Sequence, residues 1–126
     1  MTQRRVTGWN LDPAEREKLL DRFSPLFPDV VAHHVTLRTG TDHDTPLPRE
    51  TRGEIVGITD DGAGVQALVV SIGGTTDRSD GSTYHITWSL DRGRGRQPVE
   101  SNAVIAERGW RPLPEPVPIR LIPARF

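Results

Sequence analysis

His34-Val35-Thr36-Leu37 and, 51 positions later, His85-Ile86-Thr87-Trp88 repeat one pattern: histidine, apolar, threonine, apolar. Side chains at i and i+2 of a β-strand point to the same face. Each segment therefore reads as a strand that presents His and Thr on one face and buries its two apolar residues behind them. If the two strands are neighbours, two imidazoles and two hydroxyls converge on one spot, with the polarity a phosphodiester needs. His43-Asp44-Thr45 has the same triplet, but Asp in its middle and Pro46 behind it make it loop.

Outward from these units, the chain reads as strands separated by turns. Residues 1–10 read as an irregular arm or a short edge strand. Asp12 is a suitable N-cap, Pro13 fits the first helical position, and Glu15 stands where a capping box takes an acid. The helix runs over 14–23, with Leu19, Leu20 and Phe23 on one side, and Pro25 and Pro28 stop it. A strand over 30–38 carries the first motif, and residues 39–52 are a polar loop. Runs 54–59 and 65–72 form a hairpin across Asp60-Asp61-Gly62-Ala63-Gly64. A loop over 73–82 precedes the second motif strand at 83–90, and an Arg/Gly connection follows. Ser101 is placed to cap a short helix through Arg108, closed by Gly109. Residues 117–122 read as a last strand, with Pro116 and Pro118 marking an edge. The expectation is a single α+β domain over 1–126, a curved antiparallel or mixed sheet with one main helix. The doubled motif suggests a pseudo-twofold arrangement of two related halves.

Composition excludes several function classes. The formal net charge is −1, so no global field draws the chain to nucleic acid or to a membrane surface. There is no cysteine, which excludes disulfides, thiol catalysis and a cysteine zinc site and fits a reducing compartment. No apolar run approaches a membrane span, and no N-terminal signal pattern is present. A cytoplasmic protein is expected. Lys18 is the one lysine among 16 basic residues; the arginines are scattered, as a genomic coding bias would leave them, although arginine also suits bidentate phosphate contacts.

The paired units resemble those of the two-histidine phosphoesterase superfamily, which includes LigT-like RNA phosphodiesterases. Within it, the chain is most similar to the cyclic phosphodiesterase domain of fungal and plant tRNA ligases and related RNA-repair-like proteins. There a Gly-containing turn and a Pro-Val-x-Ser-Asn-like segment follow the second motif; here Pro98-Val99-Glu100-Ser101-Asn102 occupies that place. The likeness covers about residues 30–105. The turn before Pro98 departs from the pattern in being arginine-rich, and the histidines stand closer together than in LigT-like members. The resemblance implies a metal-independent 2′,3′-cyclic phosphodiesterase acting on RNA ends or small cyclic nucleotides and leaving a 2′-phosphate. It implies His34 and His85 as the catalytic pair and Thr36 and Thr87 as phosphate ligands. No cofactor is called for.

The residue chemistry is consistent with that expectation. Hydrolysis of a cyclic phosphodiester needs a base to activate water and an acid to protonate the departing ribose oxygen; two histidines near neutrality supply both. Threonine hydroxyls can donate to the non-bridging oxygens as charge builds on them. Arg38, four residues beyond His34 on the same strand face, is a further candidate phosphate ligand. Ser89 stands likewise from His85, Tyr84 could stack a base, and His33 is expected on the face opposite His34. Two other classes remain: a non-catalytic module holding a nucleotide or RNA end in the same groove, and a metal site using His33, His34, His43 and His85. Adjacent His33 and His34 on opposite strand faces disfavour the latter.

Overall fold

The computed structural model describes residues 5–126. It contains strands β1 (Thr7–Leu11), β2 (Asp29–Val30), β3 (His34–Arg38), β4 (Arg52–Asp60), β5 (Val65–Ser71), β6 (His85–Leu90) and β7 (Arg111–Arg125), with helices α1 (Pro13–Arg22) and α2 (Glu100–Arg108). The strands make one curled sheet in the order β2-β6-β5-β4-β7-β1-β3. Every pairing is antiparallel, so the α+β expectation stands and the mixed-sheet option falls away.

The stretch expected as one strand over 30–38 is two. Val31 and Ala32 donate backbone N–H groups to Trp88 and Thr87, extending β2 along β6. Ala32 then takes a positive φ of 44°, rare for a residue with a Cβ, and the chain turns to pair with β1, where Leu11 donates to His33 O. Arg16 of α1 holds this kink: its Nε donates to Ala32 O at 2.9 Å. One short stretch of chain thus joins both ends of the sheet, and β3 comes to lie against β6.

The interior of the curl is filled by Trp9, Val35, Ile55, Leu68, Val70, Ile86, Trp88 and Leu121, with Leu19 of α1 packed onto them. Two buried indoles keep their N–H groups satisfied, Trp9 on Glu50 O at 2.9 Å and Trp88 on Phe23 O at 2.7 Å. Helix α2 covers the other face through Ile105 on Ala67 and Val69 and Val104 on Val65 and Leu90.

Four local expectations are corrected. β1 is no edge arm; it runs between β7 and β3. β7 spans 15 residues rather than six and is interior in spite of five prolines. The prolines are accommodated because β7 passes from one partner to the other. Pro112 to Val117 forms a bulge opposite Ile55–Gly57, Pro118 precedes the stretch paired with β1, and Pro123 follows the stretch paired with β4. Glu15 does not close a capping box on Asp12, although Asp12 Oδ2 does accept from Glu15 N; the Glu15 carboxylate instead accepts from Arg120 N on β7. Ser101 is not the cap of α2. It lies inside the helix, and the Glu100 carboxylate takes up Gln97 N and Arg96 Nε at the helix start.

Gly8 is where β1 and β3 meet most closely. A Cβ there would stand 2.1 Å from Val35 O and 2.9 Å from Leu37 N, both backbone atoms with no freedom to withdraw. Gly8→Ala is therefore expected to cost about 2–3 kcal/mol or more. Urea unfolding measures it, and an unchanged midpoint would refute this account of the strand junction.

Candidate functional site

Val35, Ile86 and Trp88 share the interior core, with Leu37 at its margin. Both motifs therefore turn their apolar halves inward and their polar halves to the other side of the sheet. His34 and His85 stand on the two strands that meet at the β3–β6 approach, and both are half-buried. Burial, then the neighbouring charges of His33 and His85, push His34 down to about 4. Burial also lowers His85; the Thr83 carbonyl opposes that shift, and the nearby Arg78 guanidinium adds to it.

Hydrogen bonding orients the rings. Thr83 O can only accept, so His85 Nδ1, 2.8 Å away, carries the hydrogen, and neutral His85 has its lone pair on Nε2. His34 Nδ1 lies 3.1 Å from His33 Nδ1, so one of these nitrogens donates to the other. The two rings meet edge-on with centroids 5.2 Å apart. His33 was expected on the opposite face; the kink at Ala32 breaks strand alternation and sets it beside His34. On its other side His34 meets the Phe126 ring at 4.4 Å between centroids.

The threonines differ. Thr36 is half-buried, and its hydroxyl has no hydrogen-bond partner among the described residues. Thr87 is buried, and its Oγ1 lies 2.8 Å from Ser101 Oγ and 3.2 Å from Pro98 O. Its single hydrogen is thus engaged with the segment leading into α2, so Thr87 ties that segment to β6 rather than offering an open donor. Arg38 is exposed at the end of β3, beyond a register shift that interrupts the regular alternation from Thr36. Tyr84 is buried edge-to-face on Trp9, with a ring-centroid distance of 5.8 Å, and is not open to a base. Ser89 is buried and bonds Gln66 and Phe27 N. His43 is exposed in the loop after β3, beside Asp44.

Sequence reasoning missed Phe126 and Arg16, and misplaced His33 and Ser101. A His-His pair is visible in sequence, but the left-handed residue that aligns the rings is an alanine, which signals nothing. Among the described residues, five surface cavities are lined by other side chains, and neither motif histidine lines any of these. Among the described residues no three His, Cys, Asp or Glu side chains group as a metal-binding set, and no helix is long and apolar enough to cross a membrane.

The difference between the threonines is measurable. Thr87→Val leaves buried Ser101 Oγ without its partner, while Pro98 O keeps Ser101 N, and is expected to cost about 1–3 kcal/mol. Thr36→Val is expected to change stability by less than about 0.5 kcal/mol. Equal losses in urea titrations would contradict the hydrogen bonding described. No protein-family model, no curated protein and no solved structure matches this chain.

Proposed function

We propose that the protein hydrolyses 2′,3′-cyclic phosphodiesters, on RNA ends or small nucleotides, by acid–base catalysis between His34 and His85 in a two-histidine phosphoesterase-like fold. The observation that supports this reading is the approach of β3 to β6, with Val35, Ile86 and Trp88 in the core and both imidazoles on the opposite side of their strands. Binding alone would be served better by permanent charge, since both histidines are held toward the neutral form.

His34, beside the His33 ring and held toward its neutral form by burial, serves as base. It takes a proton from water as the water oxygen attacks phosphorus. His85, with Nδ1–H fixed on Thr83 O, carries a second proton on Nε2 when the anionic substrate is present. It delivers that proton to the ribose O3′ as the P–O3′ bond breaks, leaving a 2′-phosphate. Thr36 donates to a non-bridging oxygen as charge develops there. Exchange with solvent returns both rings to their starting states.

The test is turnover of 2′,3′-cyclic nucleotides and of an RNA oligonucleotide ending in a cyclic phosphate, in EDTA, with products identified by phosphorus NMR. Formation of a 2′-phosphate that disappears in His85→Ala is the expected result. Binding without turnover of any of these substrates would replace the enzyme with a binding module.

A further inference from the structure

A cavity of about 620 Å³ lies apart from the histidine pair, where the C-terminal ends of both helices approach the β4–β5 hairpin. Arg22 in the last turn of α1, Arg108 in the last turn of α2 and Arg111 at the start of β7 line it, against one carboxylate, Asp60. Among the described residues none of these three guanidiniums forms an ion pair, whereas Arg78, Arg94 and Arg96 each do. Arg22 and Arg108 complement helix C-terminal dipoles, which explains why arginine stands there. It does not explain Arg111, which belongs to a strand, nor the aromatic wall.

That wall includes Trp110. Its ring rests directly on Gly57, where a Cβ would lie 2.0 Å from the indole, so the ring is backed by the β4 backbone. The other two tryptophans donate their indole N–H to carbonyls; that of Trp110 has no partner among the described residues. Unpaired guanidiniums recognise phosphate through paired donors, and an indole face stacks a planar base. The volume is in the range of small-molecule sites and far exceeds what one phosphate needs.

We propose that this cavity is a nucleotide-binding site, with the phosphate held by Arg22, Arg108 and Arg111 and the base resting on Trp110. The assignment is independent of the chemistry at His34 and His85. It is tested by titrating the full chain with AMP, adenosine or inorganic phosphate while following the indole N–H NMR signal of Trp110, identified by its loss in Trp110→Phe. AMP is expected to shift that signal and to bind at least about tenfold tighter than adenosine or phosphate alone. Arg111→Gln and, separately, Arg22→Gln should each weaken AMP by about tenfold, while Lys18→Gln, exposed on α1 and outside the cavity lining, leaves its affinity unchanged. Both arginines are exposed, so the variants are expected to fold. An unmoved indole signal, or AMP affinity indifferent to both arginine variants, overturns the site. Phosphate binding as tightly as AMP overturns its assignment to a nucleotide.

Discussion

His85→Ala is expected to lower kcat/KM for a 2′,3′-cyclic nucleotide by about 100- to 10,000-fold, and His34→Ala by a similar factor, because each removes one proton-transfer partner. Losses from groups that act as a unit do not multiply. The double variant should therefore retain close to the activity of the weaker single one. Among the described residues, the half-buried His85 ring bonds through its side chain to Thr83 O alone, so the folded state of His85→Ala should persist and circular dichroism should be unchanged. The rate law gives a second signature. Productive protein carries one proton on the pair, and both histidines titrate below their ordinary value in the free protein. The kcat/KM profile should therefore be a bell centred on the acid side of pH 6.5, falling as pH rises through neutrality. A folded His85→Ala variant with wild-type turnover, or a flat profile between pH 5 and 8, would remove histidine chemistry from this protein.

How much of this could be read beforehand varies with the kind of interaction involved. Alternating apolar residues carried the motif strands, since Val35, Ile86 and Trp88 are buried because they are apolar on a strand with one covered face. The Asp12-Pro13 start of α1 and the Gly109 end of α2 were legible because backbone geometry itself demands those residue types. β7 was not legible at its true length. Whether a proline is tolerated in a strand depends on which flank lacks a partner at that position, and only the assembled sheet decides it. Ser101 was misread because a buried hydroxyl goes to the best available partner, here Thr87 across the fold, rather than to its own helix end. The kink at Ala32 was invisible for a similar reason: Arg16, distant in sequence, holds the carbonyl that keeps the turn. That turn gives His34 its second imidazole neighbour, so the least legible feature of the fold bears directly on the candidate site.

Acidification should unfold this protein in a window that identifies those imidazoles. His34 titrates near 4 in the folded chain against 6.5 ordinarily, so between those pH values the unfolded state binds more protons. Stability then rises with pH across the window; it is fully present above pH 6.5 and is lost as pH falls toward 4. The largest loss consistent with that interval is about 3 kcal/mol, reduced by whatever solvent reaches the half-exposed ring. His85 is lowered as well and adds a loss of the same sign in the same range. The carboxylates held low by hydrogen bonds and arginine, Asp61 beside Arg96 and Asp80 beside Arg78, act in the same direction but mainly below about pH 4, where unfolded carboxylates titrate. The histidines therefore dominate the interval between pH 4.5 and 6.5. Urea unfolding at these two pH values should show the wild type weakening by roughly 1–2 kcal/mol on acidification. His34→Gln, which keeps a polar side chain but cannot titrate there, should lose distinctly less. If it weakens by as much as the wild type, His34 does not hold a depressed proton affinity in the folded chain. The crowding of imidazoles between β3 and β6, from which both its burial and its chemistry were argued, would then be wrong.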